Sequence, residues 1–97
     1  ILAPATPCPA FTIGQETFTV DGVTLPARPS AGLFTQPLSF IGLPIVCAPI
    51  QRSAGLPVGV QVIAAPYQEA QALRVAHALE QLGVAQAPVV RPQMAPA

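Results

Sequence analysis

The chain has 97 residues, of which 52% are hydrophobic and only 8% charged, and its formal net charge is zero. A neutral chain has no electrostatic footprint for nucleic acid or an anionic membrane surface, and no run reaches the roughly 18 to 20 uninterrupted apolar residues of a membrane span. A typical soluble domain carries about 25% charge, so a chain this small and this apolar is expected to bury part of its surface against other protein.

Ile1 to Ala5 is short and apolar, and Pro4, Pro7 and Pro9 follow closely. The pattern predicts a buried strand running into a proline-stiffened loop. No basic residue precedes the apolar start, which argues against a signal peptide. An abrupt opening in strand-like sequence is expected of a truncated chain. Residues 17 to 25 alternate in polarity around Asp21-Gly22. That dipeptide suits the positive φ angles of a type I′ turn, so a hairpin is predicted with Val20 opposite Val23 and Phe18 opposite Leu25.

Residues 26 to 44, with four prolines, read as an ordered connector with one helical turn near Leu38 to Ile41. Ile45 to Ile50 and Val58 to Ala64 are predicted strands, paired antiparallel across the polar turn Gln51 to Leu56. From Gln68 to Leu82 the period becomes helical, with Ala72, Leu73, Ala76, Leu79 and Leu82 as the apolar stripe. Glu69 sits in the first turn, where a carboxylate complements the helix dipole, and Gly83 is a natural terminator. Residues 1–84 therefore form the domain-like part, and residues 85–97, with Pro88, Pro92 and Pro96, form a proline-rich tail.

The chemical inventory is narrow. The basic residues are Arg28, Arg52, Arg74 and Arg91, so there is no lysine for Schiff-base or lysine general-base chemistry. Ser30, Ser39 and Ser53 are isolated, and none lies in a Gly-x-Ser-x-Gly elbow. The single histidine, His77, falls in the helix and is assigned a packing or surface role. Cys8 and Cys47 are expected to be reduced and buried. One histidine and two scattered cysteines cannot fill a tetrahedral metal site, so no metal is expected. Gln61 lies in an apolar strand and needs a hydrogen-bond partner if buried. It is read as an anchor rather than a substrate contact. Gly42, Gly55 and Gly59 are read as backbone requirements. Arg52 is read as solvated, although a carboxylate-bearing substrate could recruit it.

In order along the chain stand Ile1-Leu2-Ala3-Pro4-Ala5-Thr6-Pro7, Thr35-Gln36-Pro37-Leu38-Ser39-Phe40-Ile41-Gly42-Leu43-Pro44 and Gly55-Leu56-Pro57-Val58-Gly59-Val60-Gln61-Val62-Ile63. Glu69, Leu73-Arg74-Val75-Ala76 and Glu80-Gln81 follow. Together, at this spacing, they resemble the C-terminal part of the amidase signature family. The resemblance covers nearly the whole chain, except the hairpin and the tail.

It implies an α/β class: the C-terminal portion of an α/β/α fold with a mixed β-sheet, β-hairpins and one main C-terminal helix. It implies hydrolysis of amide or urea-type C–N bonds in a small molecule, without a cofactor, in the cytoplasm. Pro4-Ala5-Thr6-Pro7-Cys8-Pro9, the Asp-Gly hairpin and Leu33-Phe34-Thr35-Gln36-Pro37 most resemble family members acting on carboxybiuret-like substrates. The alternatives are a segment of the glutamyl-tRNA amidotransferase type, a general amidase and a non-catalytic interaction module. The family's Ser–cis-Ser–Lys triad is absent, so no catalytic residue is carried over and the segment alone is expected to be inactive. Its implied partners are the missing N-terminal part of the amidase domain and a small amide substrate. A homodimer and a role as a small accessory subunit stay open. Thr35 and Ser39 are the candidate substrate-binding residues. Ser39 stands where the family pattern has Asn, which loses the amide's paired donor and acceptor.

Overall fold

The computed structural model describes residues 1–89. In chain order they form β1 (Leu2–Pro4), β2 (Thr17–Val20), β3 (Val23–Pro26), α1 (Ala27–Ser30), α2 (Gln36–Ile41), β4 (Ile45–Ile50), β5 (Val58–Ile63) and α3 (Glu69–Gln81). The class is α/β, with two antiparallel sheets and one main C-terminal helix.

The hairpin β2–β3 forms in the predicted register, with Phe18 opposite Leu25 and Val20 opposite Val23. Asp21 and Gly22 take φ of 51° and 79°, the paired positive values whose twist matches the strands. Across the other face the Thr19 and Thr24 hydroxyls meet at 3.1 Å. Phe18 is buried and stacks on Phe11, ring centroids 5.2 Å apart. The Ala27 N–H donates to the Glu16 carbonyl at 2.8 Å and closes α1 onto the hairpin.

The second sheet has the order β1-β5-β4. β4 and β5 pair antiparallel from Ile45↔Ile63 to Ile50↔Val58, and β1 pairs antiparallel with β5 on its other side. Strand alternation divides the faces. Val46 and Ala48 lie toward α3, with Val62 and Val60 as their cross-strand partners. Cys47 and Ala3, the partners of Gln61, lie on the opposite face. α3 ends in a Schellman motif: the Gly83 N–H donates to the Glu80 carbonyl and the Val84 N–H to the Leu79 carbonyl, each at 3.0 Å.

Several elements differ from the sequence expectation. β1 is an edge strand, and Ile1 and Leu2 are exposed while Ala5 is buried, because a central position falls to β5. The connector holds two short helices, and α2 starts earlier than expected, with Pro37 in its first turn and φ already set for the helix. Within α3 only Ala72 is buried; Leu73 and, just past the helix end, Leu82 are exposed. Both cysteines are free, but Cys47 is exposed and Cys8 half-buried. Of residues 85–97, Ala85 is buried and bridges to Ile50, and the Gln86 N–H donates to the Pro49 carbonyl at 3.2 Å. Residues 90–97 lie outside the described residues.

Among the described residues Gln61 is the largest side chain sealed from solvent, at 1% exposure. Its Nε2 donates to the Pro4 carbonyl and to the Phe34 carbonyl, both at 2.9 Å. One amide thus joins β5, the end of β1 and the connector. Each such bond contributes about 1 kcal/mol net, and an abandoned buried carbonyl costs about 1–3 kcal/mol.

The core these contacts enclose is thin. The chain exposes 7441 Å², against about 5200 Å² for a folded monomer of this mass. Its radius of gyration is 15.9 Å, against about 13 Å for a compact domain of 100 residues. Leu33, Phe34, Phe40, Ile41, Tyr67 and Leu82 are among the large apolar side chains left exposed.

A Cβ at Gly59 would stand 2.9 Å from Cys47 Sγ and 3.0 Å from Ala5 Cβ. We therefore expect Gly59→Ala to lower stability by about 1–3 kcal/mol through overpacking, measured by denaturant unfolding. Gly59→Ala combined with Cys47→Ala, which frees the tighter of the two contacts, is expected to recover part of that loss.

Candidate functional site

Thr35 is the N-cap of α2, and Ser39 lies one turn on. That spacing places both on one helix face, and the Ser39 N–H donates to the Thr35 carbonyl at 3.0 Å. Together with Leu33, Gln36, Pro37 and Phe40 they line an open depression of about 770 Å³. The Thr35 hydroxyl reaches only the Gly32 carbonyl, at 3.5 Å, the outer limit of a hydrogen bond. The depression therefore presents neutral donors and acceptors beside apolar surface, and Phe40, 91% exposed, forms its flat side.

Gln36 was not singled out by the sequence, yet it lines the same depression. Its side chain lies over Gly32: Cγ, Cδ and Nε2 stand 3.0–3.1 Å from where a Cβ on that glycine would be. The available signal was the Gly32…Gln36 spacing of four residues, one helical turn.

Other candidate groups do not join this site. His77 is exposed on α3, with Nδ1 3.7 Å from Glu80 Oε1. It borders a smaller depression that none of the serines lines. The Arg52 guanidinium donates to the Leu56 carbonyl at 3.3 Å within its own turn. An apolar groove of about 460 Å³ runs between the end of β5 and α3, lined by Leu2, Leu43, Val62, Ala72 and Val75, with Gln71 as its one polar side chain. It can take up apolar surface but offers no group for chemistry. Among the described residues no three His, Cys, Asp or Glu side chains gather as a metal-holding group. The Thr35–Ser39 face can hold an amide-like group by hydrogen bonds. Among the described residues that line the depression, none is a base that could activate either hydroxyl.

Comparison with known proteins places this geometry in context. The family model described as Amidase matches residues 1–73. AtzE, the 1-carboxybiuret hydrolase subunit of Pseudomonas sp. (strain ADP), is 47% identical over 87 residues, 88% of this chain and 19% of that protein. The A-subunit of the glutamyl-tRNA(Gln) amidotransferase of Geobacillus stearothermophilus is 41% identical over 81 residues, 84% of this chain and 16% of that protein. A solved structure of a vestigial protein complex, described as revealing the origins of an s-triazine catabolic enzyme, superposes with a TM-score of 0.84. It is 47% identical and covers 88% of this chain and 19% of its own. A crystal structure of an amidase superposes with a TM-score of 0.77 at 30% identity, covering 84% of this chain and 19% of its own. The chain thus spans about a fifth of the length of the proteins it matches.

If the Thr35 and Ser39 hydroxyls are reserved for a ligand, they hold little of the fold together. Thr35→Val and Ser39→Ala are each expected to change stability by no more than about 0.5 kcal/mol, read by thermal melting. A larger loss would show that the hydroxyls support α2 instead.

Proposed function

The chain belongs to the amidase family, and from that premise we propose that it is the C-terminal segment of an amidohydrolase acting on a small, carboxybiuret-like amide. In this reading it supplies a wall of the substrate site and none of the bond-breaking groups. The observation that carries the reading is the pairing of an uncharged, hydrogen-bonding face at Thr35, Gln36 and Ser39 with an inventory that holds no lysine and only isolated serines. Hydroxyls and an amide match the donors and acceptors of a urea-type group, while the apolar faces of Pro37 and Phe40 suit its planar surface.

The exposed apolar surface fits the same reading. Leu33, Phe40 and Ile41 around α2, and Ile1 and Leu2 at the start of β1, are the kind of surface a domain covers rather than leaves in water. The proposed partner is the remainder of an amidase domain. No described helix is long and apolar enough to cross a membrane, and two free cysteines suit the reducing cytoplasm. The 41% identity to the amidotransferase protein supports a second reading, in which the same wall serves that type of enzyme.

A chimaera tests this proposal. The segment is grafted in place of its counterpart in full-length AtzE, and turnover of 1-carboxybiuret is measured. The chimaera is expected to hydrolyse it, and the isolated 97-residue chain is expected to show none. Hydrolysis by the isolated chain would overturn the proposal. A graft that works only in the amidotransferase would favour the second reading.

A further inference from the structure

We propose that Gln61 is a positioning residue for the Thr35–Ser39 wall. By holding the Phe34 carbonyl, its buried carboxamide fixes where that wall stands relative to the sheet and so sets the affinity for the amide substrate. The inference rests on the reading of that wall as a substrate surface.

α2 has no buried residue and packs against no other helix or strand among the described residues. Nothing in its own packing therefore fixes its place. From Ala31 to Leu43 the described hydrogen bonds stay within Ala27 to Gly42, with one exception: Gln61 Nε2 to the Phe34 carbonyl at 2.9 Å. The same nitrogen also donates to the Pro4 carbonyl at 2.9 Å. It cannot swing away from Phe34 without disturbing its hold on β1.

Phe34 immediately precedes Thr35, and Thr35 is bonded through its carbonyl to Ser39. A shift of the Phe34 carbonyl therefore carries both hydroxyls with it. The clamp also explains the residue type. Two carbonyls converging on one buried nitrogen require two N–H donors without a charge, which a primary amide supplies and a carboxylate or thioether does not.

The test uses the full-length chimaera described above, with KM and kcat for 1-carboxybiuret measured alongside thermal stability. Gln61→Met keeps the volume and removes both donors. It is expected to raise KM on the order of fivefold, the scale of one hydrogen bond, and to change kcat by less than about twofold. Thr35→Val is expected to raise KM similarly. Because Gln61 acts through Thr35, adding Gln61→Met to Thr35→Val is expected to raise KM little further.

Gln61→Glu gives a readout that a purely structural role would not move. As pH falls the protonated carboxyl regains one O–H donor, and KM is expected to return toward the parent value. This variant decides the matter if Gln61→Met yields no folded protein. An unchanged KM with lowered thermal stability in Gln61→Met, or KM effects that simply multiply in the double variant, would overturn the positioning role while leaving the wall intact. Thr35→Val and Ser39→Ala both leaving KM unchanged would overturn the wall itself, and this inference with it.

Discussion

One buried amide ties three segments of the described structure together. Gln61 sits on the central strand of the sheet, between β1 and β4, and spends its two N–H groups on carbonyls from segments 57 and 27 residues away. Backbone ladders bind β4 and β1 to β5 and the Ala64 N–H holds the Pro44 carbonyl at the connector's end, but between Ala31 and Leu43 only Gln61 reaches across from the sheet among the described hydrogen bonds. In a low-dielectric interior a fully paired amide is rigid and specific, and an unpaired one is costly. The same arithmetic makes Gln61 hard to replace.

Gly59 works beside it. Ala5 and Cys47 close over the position from both sides, and the Ala5 N–H bonds to its carbonyl at 3.0 Å. The absence of a side chain lets the end of β1 approach β5 closely enough for the Pro4 carbonyl to reach Gln61. Two positions of the Val58-Gly59-Val60-Gln61 run thus have linked duties: one leaves space, and the other fills the space beyond it with hydrogen bonds.

Neutral polar side chains line the α2 face, while Glu80 and Arg52 stay on exposed segments of their own. Apolar side chains remain exposed on β1, α2 and α3. That distribution fits a segment covering about a fifth of the length of the proteins it resembles.

Local chemistry was legible in the sequence. Asp21-Gly22 dictated a type I′ turn and with it the register of β2 and β3, because two positive φ angles leave the chain few alternatives. The pairing of β4 with β5 and the end of α3 at Gly83 followed from alternation and glycine placement. The amidase resemblance rested on motif order, and Gln61 could be singled out because an amide among valines and isoleucine must find partners. Only the tertiary structure decided which partners. Their identity depends on segments distant in sequence, and so did the edge position of β1 and the exposure of Cys47. Burial is a property of what packs from elsewhere, and no local pattern records that.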